Sequence, residues 1–124
     1  MYVIEAANAP RFELPGIEFT GLASPSRGSS EVCTWRLSIA AGLQSDAAHT
    51  VDRDEVFMVV AGAVQISPGG QTLRAGDAVV VPAGQPIQIV NPGDERAEVY
   101  VAIRAGFTPT MADGTAVATP PWAR

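Results

Sequence analysis

The chain has 124 residues, 47% of them hydrophobic, and a formal net charge of −5. That length suits one domain, the composition is too apolar for a disordered chain, and no apolar run approaches the roughly 18 residues of a membrane-spanning helix. All eight basic residues are arginines scattered singly along the chain, which excludes the concentrated basic face that a nucleic-acid backbone requires. The single cysteine, Cys33, excludes an internal disulfide and any CxxC metal or redox motif. Met1-Tyr2-Val3-Ile4-Glu5 has neither the basic flank nor the apolar core of a signal sequence, so a cytoplasmic protein is expected. The lack of lysine beside abundant Ala, Gly and Arg suggests a GC-rich bacterial genome.

Residues 1–30 are short apolar pieces broken by turn formers. Tyr2-Val3-Ile4 reads as an edge strand. Pro10, Pro15 and Gly16 read as punctuation. Ile17 to Leu22 alternates as a strand, and Ser24 to Ser30 is a polar loop. Glu31 to Ala41 is the first strong strand, with Cys33, Trp35, Leu37 and Ile39 on one face and Thr34, Arg36 and Ser38 on the other. A turn at Ala41 to Asp46 leads to the only histidine, His49, and then to Glu55.

Glu55 to Ala61 is the second strong strand, rich in Val and Phe. Gly62 turns the chain into Ala63 to Ile66, and Ser67-Pro68-Gly69-Gly70 reads as a hairpin connection to Gln71 to Arg74. Ala78 to Val81 is a continuous apolar run, expected to be a strand buried on both faces. Ile87 to Val90 and Ala97 to Ile103 are the last two expected strands. Residues 104–124 are rich in Gly, Pro, Thr and Ala. Phe107 and Trp122 within them imply a tail that packs back on the barrel or on a neighbouring subunit. No apolar pattern at helical spacing lasts beyond two turns. Short strands with Gly and Pro at nearly every joint predict an all-β sandwich or barrel with little or no helix.

A lone imidazole and a carboxylate leading into a strand have three readings: half of a metal site, an acid/base pair, or a buried ion pair. Cys33 reads as an inert core thiol, and Asp52-Arg53-Asp54 as a solvated loop. No phosphate-binding loop, dinucleotide fingerprint or nucleophile elbow is present.

The turn residues from Gly42 to Asn91 resemble the cupins. Gly76, Pro82, Gly84 and Asn91 stand at the offsets of that family's second motif, with Ile87 in its histidine slot. Gly42, His49, Glu55 and Gly62 fit the first motif with one extra residue before His49, and Val51 takes the second histidine slot. The resemblance implies a cupin-type double-stranded β-helix, a jelly-roll β-barrel, with residues 1–30 leading into a core at 31–103. It also implies a homodimer.

Metal-binding cupins resemble one another in offering three histidines and a glutamate. Here Val51 and Ile87 are hydrocarbon, so no metal cofactor is expected, although a weakly held divalent transition metal at His49, Glu55 and water stays open. His49 and Glu55 are the candidate catalytic residues. Trp35, Leu37, Val51, Phe57, Val59, Ile87 and Ile89 are the candidate pocket lining. The expected function is metal-free binding or conversion of a small, partly apolar organic molecule. In an isomerase, cyclase or lyase type of step, His49 would shuttle the proton and Glu55 would orient it. A non-catalytic binding or sensing module is the alternative. The expected partners are a small ligand and a second copy of the chain, without nucleic acid or membrane.

Overall fold

The computed structural model describes residues 1–67 and 70–124. Ten strands run in chain order: β1 Arg11–Leu14, β2 Ile17–Gly21, β3 Val32–Ile39, β4 His49–Val51, β5 Glu55–Ala61, β6 Ala63–Val64, β7 Leu73–Arg74, β8 Ala78–Val81, β9 Ala97–Arg104 and β10 Pro109–Met111. Among the described residues the helical content is two short 3-10 turns, Pro25–Arg27 and Pro121–Ala123. A six-stranded antiparallel sheet has the order β1-β2-β3-β9-β5-β8. The pairs β10-β4 and β6-β7 form the shorter second layer. The result is an all-β jelly-roll barrel.

Strand alternation builds the core. Cys33, Trp35, Leu37 and Ile39 on β3 are buried, as are Ala97, Val99, Val101 and Ile103 on β9 and Phe57 and Val59 on β5. The register lines these residues up in rows across the sheet, Leu37 beside Val99 beside Val59 and Trp35 beside Val101 beside Phe57. The inner face of β9 is therefore the Ala97–Ile103 set, while Glu98 and Tyr100 look outward. Gly62 has φ +77, and a Cβ there would meet the Arg96 carbonyl oxygen at 2.7 Å. Only glycine lets the chain turn this close to β9. The register of β5 on β9 slips beside this turn, between Val59 and Ala61.

Three local expectations are corrected. Tyr2-Val3-Ile4 forms no strand, and Tyr2 and Val3 are exposed. The edge position belongs to β1, which lies between Pro10 and Pro15 and pairs with β2. Prolines at the ends of an edge strand remove no ladder bond, so they bound β1 instead of forbidding it.

Ala78–Val81 is not buried on both faces. It ends the sheet, with Ala78 exposed and Val80 58% exposed. Ile87 to Val90 is not a continuous strand. Ile87 bridges to His49, whereas Val90 bridges to Gln44 and Gln65, so the ladder breaks between partners. Within residues 104–124, β10 pairs with β4. The expected hairpin connection at Ser67 to Gly70 includes Pro68 and Gly69, which lie outside the described residues.

Beyond β10 the chain returns to the barrel. The Trp122 indole stacks on Phe19 at 3.9 Å between centroids. The Arg27 guanidinium donates to the Trp122 carbonyl at 2.7 Å, and the Cys33 thiol to that of Ala123 at 3.4 Å. Phe107, 3% exposed, tilts against Trp35 at 6.1 Å.

Candidate functional site

His49 opens β4 in the second layer and Glu55 opens β5 in the six-stranded sheet. Residues 52–54 carry the chain from one layer to the other. Glu55 points inward because it alternates in phase with Phe57 and Val59. Its register partners are Ile103 on β9 and Val81 on β8, and Ile103 pairs in turn with Cys33. The carboxyl thus belongs to a row of hydrocarbon and one thiol. It is 4% exposed, and Oε2 is buried without a hydrogen-bond partner.

Burial pushes the Glu55 carboxyl up from its ordinary 4.5 to about 7, and no neighbouring charge contributes. Removing a carboxylate from water with nothing to accept from favours the neutral acid. His49 is half-buried, and burial alone lowers its pKa, so the imidazole is neutral at neutral pH. Burial accounts for both shifts, and no hydrogen bond or ion pair joins the two side chains. The buried, mutually satisfied ion pair is therefore ruled out. The two side chains are separate titratable groups with pKa values driven in opposite directions.

The remaining candidates lie in the interior. Trp35, Leu37, Val51, Phe57, Val59, Ile87 and Ile89 are all buried. Ile87 faces His49 through paired backbone bonds, Ile87 N to His49 O at 2.7 Å and His49 N to Ile87 O at 3.1 Å. Two concavities are described, of about 290 and about 210 Å³. The first lies between Ile66, Leu73, Asp77 and Val79, and the second on the outer sheet face between Arg11, Glu18, Arg36 and Tyr100. None of the seven expected lining residues borders either one.

Residues 52–54 do more than the solvated loop read from sequence. Asp52 Oδ1 accepts the Thr108 amide at 2.7 Å, and Asp54 Oδ1 accepts the Ala83 amide at 3.0 Å. Two exposed carboxylates thereby tie the segments after β8 and β9 to the rim beside Glu55. A segment that crosses between layers leaves loop amides in need of acceptors. The two aspartates flanking Arg53 at that crossing were the available signal. Arg53 bonds its neighbour, with Nη1 at 2.9 Å from the Asp52 carbonyl and 3.4 Å from its carboxylate, and its Nε is buried and unpartnered.

The donor set does not suit a metal ion. Among the described residues no three His, Cys, Asp or Glu side chains come together. His49 and Glu55 offer two donors, and Val51 and Ile87 have no lone pair. Asn91, also in the second motif, is occupied structurally: Nδ2 donates to the carbonyls of Ile39 and Glu95, and Oδ1 accepts the Gly93 amide.

An antiparallel jelly roll with one isolated carboxyl on its inner wall defines a small barrel of the cupin architecture. The cupin domain family matches residues 35–103, more than half of the chain, and the chain belongs to that family.

Solved structures agree on the fold. The polyketide cyclase RemF of Streptomyces resistomycificus superposes with a TM-score of 0.73 at 12% identity, over 84% of this chain and 79% of that one. An RmlC-like cupin protein of Ralstonia eutropha gives 0.74 at 12% identity, over 97% and 78%. A sugar phosphate isomerase of the cupin superfamily from Silicibacter pomeroyi gives 0.67 at 25% identity, over 80% and 67%. No curated protein matches the chain.

Proposed function

We propose that this cupin binds a small, partly apolar organic molecule and moves a proton on it with the Glu55 carboxyl. The observation that carries this reading is the Glu55 Oε2 atom, buried and without a partner on the inner wall. A carboxyl poised at about 7 exists in both protonation states at neutral pH, which suits a general acid/base. Proton removal next to a carbonyl is the step common to isomerase, cyclase and lyase chemistry of this kind. The likeness to a sugar phosphate isomerase at 25% identity supports an isomerase type of step. In this reading the roles expected from sequence change places. Glu55 exchanges the proton, and His49 is a neutral imidazole on β4 of the second layer.

Solvent deuterium exchange into small enolisable compounds, followed by proton NMR, tests the proposal. The wild type should accelerate exchange and Glu55→Gln should not. Equal rates would remove Glu55 from the chemistry. Saturable binding without exchange would leave a non-catalytic binding module.

A second copy of the chain is proposed as the protein partner. Strand β8 ends the sheet with Ala78 and Val80 exposed and no charged residue in the strand, whereas β1 at the other edge carries Arg11 and Glu13. An uncharged edge is the one that another strand can extend. Sedimentation of the wild type against Val80→Lys tests this, with a shift toward monomer expected in the variant.

A further inference from the structure

The interior around Glu55 holds no cation. The chain has no lysine, and six of its eight arginines are exposed. Of the two half-buried ones, Arg27 is committed to the carbonyls of Leu22 and Trp122. Arg53, the basic residue at the rim, pairs with Asp52 through Nη1 and leaves its buried Nε unpartnered; it lies between Asp52 and Asp54, so that tripeptide carries a net charge of −1. No positive charge contributes to the Glu55 carboxyl, whose ladder neighbours are Ile103 and Val81.

A phosphate or carboxylate brought to this place would leave water for hydrocarbon with no counter-charge, beside a rim that is already negative. An unpaired anion in such a setting is strongly disfavoured. A neutral carbonyl compound gives up far less hydration, and it brings no like charge against the ionised Glu55 carboxylate that takes the proton. Burial and charge thus act in one direction.

We propose that the compound handled at Glu55 is an uncharged, enolisable ketone or aldehyde with an apolar body, and not a phosphorylated or carboxylated sugar. This rests on Glu55 as the proton-exchanging group. In the step itself, ionised Glu55 takes a proton from the carbon next to the carbonyl. The C–H electron pair becomes the C–C π bond, and the carbonyl π pair moves onto oxygen, which takes a proton from water at the rim. The Glu55 acid trades its proton with water at the rim, the enol oxygen gives its proton back to the hydroxide left there as the C=O bond re-forms, and the C–C π pair takes the traded proton from Glu55, which restores the carboxylate and completes exchange.

The experiment measures deuterium uptake from D2O by proton NMR for two neutral probes, cyclohexanone and acetophenone, and two anionic ones, pyruvate and dihydroxyacetone phosphate. The expected result is acceleration of at least one neutral probe by about a hundredfold over Glu55→Gln, the lower end for a positioned acid/base, with both anions at the rate of the variant. Anions accelerated as much as the neutral probes, and lost in Glu55→Gln, would overturn the substrate class while leaving Glu55 in its role. No acceleration of any probe would overturn both. If Glu55→Gln does not fold, the wild type alone carries the test. Its catalysed rate should rise with pH around a midpoint of about 7, and a rate flat between pH 5 and 9 would overturn the proposal.

Discussion

Replacing Glu55 with glutamine should change how stability depends on pH more than it changes stability itself. The carboxyl has a folded value of about 7 against an ordinary 4.5. The two differ by about 2.5, which at 1.36 kcal/mol per pKa step is roughly 3 kcal/mol. Below 4.5 the group is protonated in both states and burial of the ion costs nothing. Between 4.5 and about 7 the unfolded chain releases a proton that the folded chain keeps. Here the unfolded state binds fewer protons, so stability falls as pH rises. Above about 7 both states are ionised, and the full cost of roughly 3 kcal/mol is present.

Glutamine carries no titration, so its own buried amide contributes a constant offset of about 1–3 kcal/mol at every pH. Urea denaturation of the wild type and Glu55→Gln at closely spaced pH values gives the difference in unfolding free energy. That difference should move in favour of the variant by roughly 3 kcal/mol from pH 4.5 to pH 8, and then level. All other titrating groups cancel, because no other charge reaches Glu55. A difference that stays flat across this window would refute the burial of an unpartnered carboxyl.

His49 should titrate below 6.5 in an NMR pH series of its ring protons, and Glu55→Gln should leave that midpoint within about 0.3, since the pair is not coupled. Its effect on stability has the opposite sign: a depressed imidazole pKa gives stability that is full above 6.5 and is lost as pH falls through the folded value. Trp122→Ala should cost about 2–4 kcal/mol in urea melts, because the indole stacks on Phe19 and seals Phe12 and Trp35. The double variant Val51→His, Ile87→His fills the two histidine slots of the family motifs that hydrocarbon occupies here. It should retain zinc on elemental analysis after dialysis at a higher molar ratio than the wild type.

Where sterics dictated the residue, the fold was legible. Gly62 must turn against the backbone of Arg96 and Ala97, and few other residues can, so its offset from Glu55 marks the architecture. The Cys33-Trp35-Leu37-Ile39 alternation likewise has one physical solution, an inner face. The misread segments share a different property. Ala78–Val81 reads as central because its valines are apolar, yet apolar side chains also occupy the outer face of an edge strand. Ile87 to Val90 has strand composition, but its backbone serves two partners in turn, and partner choice is a tertiary fact. Asp52 and Asp54 look like solvated charges until the Thr108 and Ala83 amides arrive from distant parts of the chain. The spacing of His49 and Glu55 matched two positions of the family's first motif, but it carried no information on whether they touch.

That missing contact alters what Glu55 means. Bound to a histidine, a buried carboxylate would be a satisfied structural element, removable only with its partner. Standing alone between Ile103 and Val81, it lowers the stability of the folded protein by roughly 3 kcal/mol at neutral pH. That is a large share of the 5–15 kcal/mol typical of a domain. A leucine at this position would pack in the same row without that cost. In the proposed function the free oxygen is the atom that a bound molecule meets. A ligand whose carbonyl accepts a hydrogen bond from the Oε2 hydroxyl should raise the melting temperature of the wild type more at pH 5, where the acid can donate, than at pH 9. A ligand stabilising equally at both would be making its contacts elsewhere.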